Sequence, residues 1–94
     1  MTMSRQNAET FAAQVLAWLA DDNARISAFL GWSGESPSSL AARLNDPGFL
    51  LAVIEFLMAD EALLLDACAA LDYPPETPLQ ARSALPGGAD IHWT

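Results

Sequence analysis

An all-α domain is what this sequence predicts, and three observations carry that expectation. Apolar residues recur at helical spacing, helix-capping signals punctuate the chain at short intervals, and no segment alternates like a strand. The expected architecture is a bundle of five or six short helices around a central apolar helix at about 47–58. Ninety-four residues suit one domain, expected over 7–85, with residues 1–6 disordered and 86–94 an extended tail.

The helices can be justified in order. Asn7 can cap a first helix to about Ala20, with Glu9 in the first turn, where the helix dipole favours an anion. Phe11, Val15, Trp18 and Leu19 then fall on one face. Asp21 or Asp22 caps a second helix carrying Ile26, Phe29 and Leu30, ended by Gly31 and Gly34. Ser36 followed by Pro37 opens a short third helix through Leu40 and Leu44, and Asp46 followed by Pro47 repeats that device for the fourth.

In the fourth helix Phe49, Leu50, Val53, Ile54 and Leu57 form one stripe, and Leu51, Ala52 and Phe56 make most of the remaining circumference apolar. A helix apolar nearly all round belongs in the middle of a fold. Asp60 and Glu61 give a cap and first turn for a fifth helix burying Leu63, Leu64, Ala67, Cys68 and Leu71, although one kinked helix over 47–71 fits equally. Pro74-Pro75 breaks the chain, and a last helix from about Pro75 to Leu85 carries Leu79, Arg82 and Leu85.

A 39-residue shift brings Asn7 onto Asp46, Asp21-Asp22 onto Asp60-Glu61, and Arg43 onto Arg82. Two related three-helix halves, 7–43 and 46–82, would explain this. So would two helical stretches rich in the same residues.

Charge narrows the function classes. Four Arg, no Lys and twelve acidic residues leave a net charge of −8, which repels phosphate backbones and anionic lipid. Neither nucleic acid nor membrane is expected as a partner; a protein with a basic or apolar surface is. The run from Pro47 to Leu71 is interrupted by Glu55, Asp60, Glu61 and Asp66, each costing about 3 kcal/mol at mid-bilayer, so it reads as core rather than a span. The N-terminus lacks a signal-peptide apolar region, and the single cysteine, Cys68, fits a reducing compartment, so the expected location is the cytoplasm.

Catalytic and metal-binding constellations are missing from the sequence. A P-loop or lysine chemistry needs Lys, and the lone histidine, His92, forms no His-x-x-x-His or Glu-x-x-His motif. No catalytic residue, cofactor or metal is therefore assigned. Asp60, Glu61 and Asp66 read as capping and a solvated face. Glu55 is the only charge on its stretch of the fourth helix; it either faces solvent at a polar seam or pairs with Arg25, Arg43 or Arg82 as a buried ion pair.

The aromatic residues give the interaction hint. Trp32, between two glycines in "GWSGE" and three residues before Glu35, is either a binding anchor or a contact closing the helix end. Trp93 is either a latch on the core or a free end. Trp32, Glu35, Asp60, Glu61 and Trp93 are the interaction candidates.

Residues 46–76, "DPGFLLAVIEFLMADEALLLDACAALDYPPE", together with Ala-x-x-Phe-x-Ala and Trp-Leu-Ala-Asp-Asp nearer the start, carry a resemblance. Over 7–85 the chain resembles a family of short alphaproteobacterial proteins catalogued as a domain of unknown function, number 3572. Asp66 and Cys68 depart from its pattern. The resemblance implies a small helical protein and brings no activity, cofactor or catalytic residue with it. The function expected is thus a small interaction module without catalysis, monomeric or homodimeric; the alternative is a carrier of a small apolar ligand in the helical core.

Overall fold

Each of the longer helices begins where a short polar side chain takes up amides left unpaired in the first turn. The computed structural model describes residues 3–88. There the chain forms helices α1 (Arg5–Ala20), α2 (Asn23–Ser33), α3 (Leu40–Arg43), α4 (Pro47–Met58), α5 (Glu61–Leu71) and α6 (Thr77–Ala84). A 3-10 turn, Pro37–Ser39, runs directly into α3. No strand occurs among the described residues.

The caps are Ser4, whose Oγ accepts from the Asn7 amide at 3.0 Å, Asp22 over α2, Asp46 over α4 and Asp60 over α5. Asn7 is therefore not the cap that its sequence position suggests. The buried stripe reaches back to Ala8, so α1 starts before Asn7 and takes in Arg5 and Gln6, where disorder was expected. Asp21 closes the end of α1 and leaves Asp22 to start α2.

Chain breaks follow backbone conformation. Gly34 ends α2 at φ 78°, in the left-handed region that suits glycine, while Gly31 lies within the helix. Asp60 is extended (φ −135°, ψ 103°), so α4 and α5 are separate helices. Asp72 ends α5 at φ 64°, and the next amide, Tyr73, donates to the Cys68 carbonyl at 2.8 Å. The last helix starts at Thr77, two residues later than expected, with Pro78 in its first turn. Beyond Leu85 the described chain turns instead of extending, and the Gly88 amide donates to the Leu85 carbonyl at 3.0 Å.

The core is shared by α1 and α4. Phe11, Ala12, Val15, Leu16 and Leu19 meet Phe49, Leu50, Val53, Ile54 and Leu57, all buried, and each of the two helices also packs on α2, α5 and α6. Smaller contributions come from Phe29, from Ala67 and Cys68, and from Pro78, Ala81 and Leu85. The central position expected for α4 is thus held jointly with α1. On α5, Leu63, Leu64 and Leu71 are half-buried, and Leu65 is exposed.

The buried positions of α1 and α4 coincide at an offset of 38, Phe11 with Phe49, Val15 with Val53 and Leu19 with Leu57 (49 minus 11). The caps Asp22 and Asp60 and the left-handed ends Gly34 and Asp72 share that offset. An offset of 39 instead puts fully buried Leu19 on half-buried Met58. The two arginines that 39 would equate, Arg43 and Arg82, make unrelated contacts.

Candidate functional site

The last turn of α2 carries an aromatic ladder out of the core. Phe49 and Phe29 are buried with ring centroids 5.8 Å apart; Phe29 meets Phe56 edge-on at 5.3 Å, and Phe56 meets Trp32 at 5.4 Å. Edge-to-face and tilted pairs of this kind are favourable beyond the area they bury. The inner side of Trp32 is thereby fixed, while 51% of the residue stays exposed. The indole packs at the end of α2 and also presents an exposed surface.

Trp32 forms one wall of a groove of about 420 Å³, completed by Glu55 and Met58 of α4, by Ala59 just after it and by Arg82 of α6. Met58 and Ala59 follow Glu55 by three and four residues, the spacing that places side chains on one helix face. That spacing was the available signal for two lining residues the sequence reading did not name.

Glu55 and Arg82 are brought together, but not as a buried pair. Glu55 Oε2 lies 3.7 Å from Arg82 Nε, and both side chains are 43% exposed. The separation is too long for a hydrogen bond, and the Nε–H, itself shielded from solvent, has no acceptor among the described residues. The pair sits at the groove edge because α4 packs against α6. It brings a carboxylate and a guanidinium to one site, each with hydrogen-bonding capacity unused among the described residues.

The other candidates lie elsewhere. Arg43, expected beside Glu55 or Arg82, bonds Glu35 at 2.9 Å and Asp46 at 3.0 Å instead. Glu35 also accepts from Ser39 Oγ at 2.8 Å, so its carboxylate is engaged within the chain. Asp60 is occupied as a cap, accepting from the Leu63 amide at 3.2 Å, and Glu61 is exposed in the first turn of α5. Trp93 lies outside the described residues.

Every arginine has an acidic neighbour: Arg5 with Glu9, Arg25 with Asp22, Arg43 with Glu35 and Asp46, and Arg82 with Glu55. Asp21, Asp60, Glu61, Asp66, Asp72 and Glu76 form no ion pair among the described residues. Among the described residues, acids outside any ion pair therefore outnumber the cations. No group of three or more His, Cys, Asp or Glu among the described residues is placed to hold a metal ion. No helix there is long and apolar enough to cross a membrane.

A second groove, about 300 Å³, runs between α1 and α3, lined by Ala13, Leu16, Ala17, Ala20, Leu40, Ala41 and Leu44. Its walls are aliphatic. It holds no residue that sequence reading had nominated.

The family model described as Protein of unknown function (DUF3572) matches residues 5–88. The chain belongs to this family. No curated protein and no solved structure matches it. The DUF3572 match runs from the first residue of α1 to the turn after α6, so the whole Trp32 groove lies inside the family domain.

Proposed function

We propose that this DUF3572 protein is a non-catalytic interaction module that holds a protein partner at the groove of Trp32, Glu55, Met58 and Arg82. The observation that supports it is Trp32 itself, seated on Phe56 and Phe29 by its inner side and 51% exposed on its outer one. A rigid, half-exposed tryptophan beside charged groups is the composition of a binding hot spot. The acid excess disfavours nucleic acid and anionic membrane as alternatives. The lone thiol fits work in the cytoplasm, by a monomer or a homodimer.

The test compares wild-type and Trp32→Ala baits in extracts of a native source, followed by reconstitution of each candidate pair from purified proteins. A partner that binds the wild type and loses about tenfold or more in affinity to the variant supports the proposal. Purified partners that bind both alike overturn it.

A second proposal, a carrier of a small apolar molecule, draws on the aliphatic groove between α1 and α3. That groove opens at the surface, whereas the sequence had suggested the helical core. Native mass spectrometry of gently purified protein decides: an added small-molecule mass, lost on Ala17→Glu, supports the carrier, and a bare chain removes it.

A further inference from the structure

The Trp32 groove can be given a partner chemistry, and this rests on the interaction reading above. Three features bear on it. The walls made by Trp32, Met58 and Ala59 are apolar and suit the aliphatic stem of a long side chain. At one edge stands Glu55, whose Oε2 faces Arg82 without a hydrogen bond and whose Oε1 accepts from no group among the described residues. Finally, Asp60 and Glu61 follow Ala59 directly, both exposed and in no ion pair among the described residues, so carboxylates outnumber Arg82 around this end of α4.

The geometry points to a basic protein segment as the occupant, with one lysine or arginine laying its stem along Trp32 and Met58 and its cation on Glu55. The indole adds cation–π attraction to the carboxylate. An acidic segment would meet Glu55, Asp60 and Glu61 with only Arg82 in its favour. The complementarity extends beyond the groove, because the chain has no lysine and all four arginines already face its own acids. Electrostatic matching of this kind governs association rate and the rejection of wrong partners.

The experiment uses the full chain, labelled with nitrogen-15, and three short amphipathic peptides that place lysine, glutamate or serine between the same leucines. Amide and indole shifts are followed during titration. The expected result is saturable binding of the leucine–lysine peptide alone, with shifts centred on the Trp32 indole and the amides of Glu55, Met58 and Ala59. Glu55→Gln should weaken it about tenfold, the change that loss of one charge-assisted contact worth ~1.4 kcal/mol produces. The variant's otherwise unchanged spectrum serves as the check on folding.

Each other outcome decides something. Equal binding of the serine or glutamate peptide in the groove overturns the basic partner and leaves the interaction module standing. Shifts spread over Asp66, Asp72 and Glu76, insensitive to Glu55→Gln, show diffuse charge attraction and overturn it as well. No saturable shift with any peptide counts against both the basic partner and the groove.

Discussion

Arg43 reaches back eight residues to Glu35, with its NH1 donating to Glu35 Oε2 at 2.9 Å, while the same guanidinium holds Asp46 at 3.0 Å. This matters because the stretch from Pro37 to Arg43 buries no residue. Burial supplies most of the stability of a helix in a protein, and here only the half-buried Leu40 packs against the core. Besides Leu40, the segment between α2 and α4 is held by polar contacts, with Arg43 at their centre.

Arg43→Met should therefore loosen one segment more than it destabilises the domain. Arg43 is 39% exposed and Glu35 17%, so the loss is expected at about 1 kcal/mol after allowing for solvent screening. Hydrogen exchange should accelerate at residues 36–45 and stay unchanged in α1. A uniform acceleration over the whole chain would refute the local role.

The 38-residue coincidence of buried positions leads to a second expectation. Leu19 and Leu57 are both fully buried and occupy matching places in α1 and α4, so Leu19→Ala and Leu57→Ala should each cost about 2–5 kcal/mol. Met58→Ala should cost clearly less, since Met58 is only half-buried. Urea denaturation of the three variants reads this directly. If Met58→Ala proves as costly as Leu57→Ala, the 39-residue pairing is the better description of the packing.

The contrast between the two offsets shows what was legible in the sequence. Signals resting on one residue's local chemistry came through: Asp22, Asp46-Pro47, Asp60 and Gly34 mark the helix ends, and the apolar α4 lies in the core. Alanine and leucine match themselves at many shifts, so identity alone did not select between 38 and 39. Only burial does, and that depends on which faces meet. The start of α1 was hidden because Ala8, fully buried, looks like any other alanine. At the site, Trp32 was conspicuous, but the choice of Arg82 over Arg43 for Glu55 depends on α6 packing against α4, a tertiary fact.

Asp72 carries a strain that substitution should relieve. It is the only non-glycine residue with positive φ among those described, at 64°. Aspartate tolerates this conformation better than most residues, yet glycine adopts it with no side-chain penalty. Asp72→Gly should raise stability by about 0.5–1 kcal/mol, and Asp72→Ala should not; thermal melts of the two variants give the comparison. A lower melting temperature for the glycine variant would show that the aspartate side chain contributes more than the strain removes.

Cys68 gives the pH prediction. Burial raises its thiol above the ordinary value of 9.0, and the nearby Glu76 carboxylate adds to the shift. In the folded chain the proton is thus held more tightly than in the unfolded one. Below pH 9.0 the thiol is protonated in both states and the full stability is present. As pH rises past 9.0 the unfolded chain loses the proton first, and stability falls until the folded-state value is passed. Denaturation midpoints should therefore drop through this range in the wild type and drop less in Cys68→Ala. The same protection makes the folded thiol slow toward a disulfide reagent at pH 8 until urea opens the domain. Fast modification of the native chain would mean that Cys68 is reached without unfolding, and the burial account of its shift would then fail.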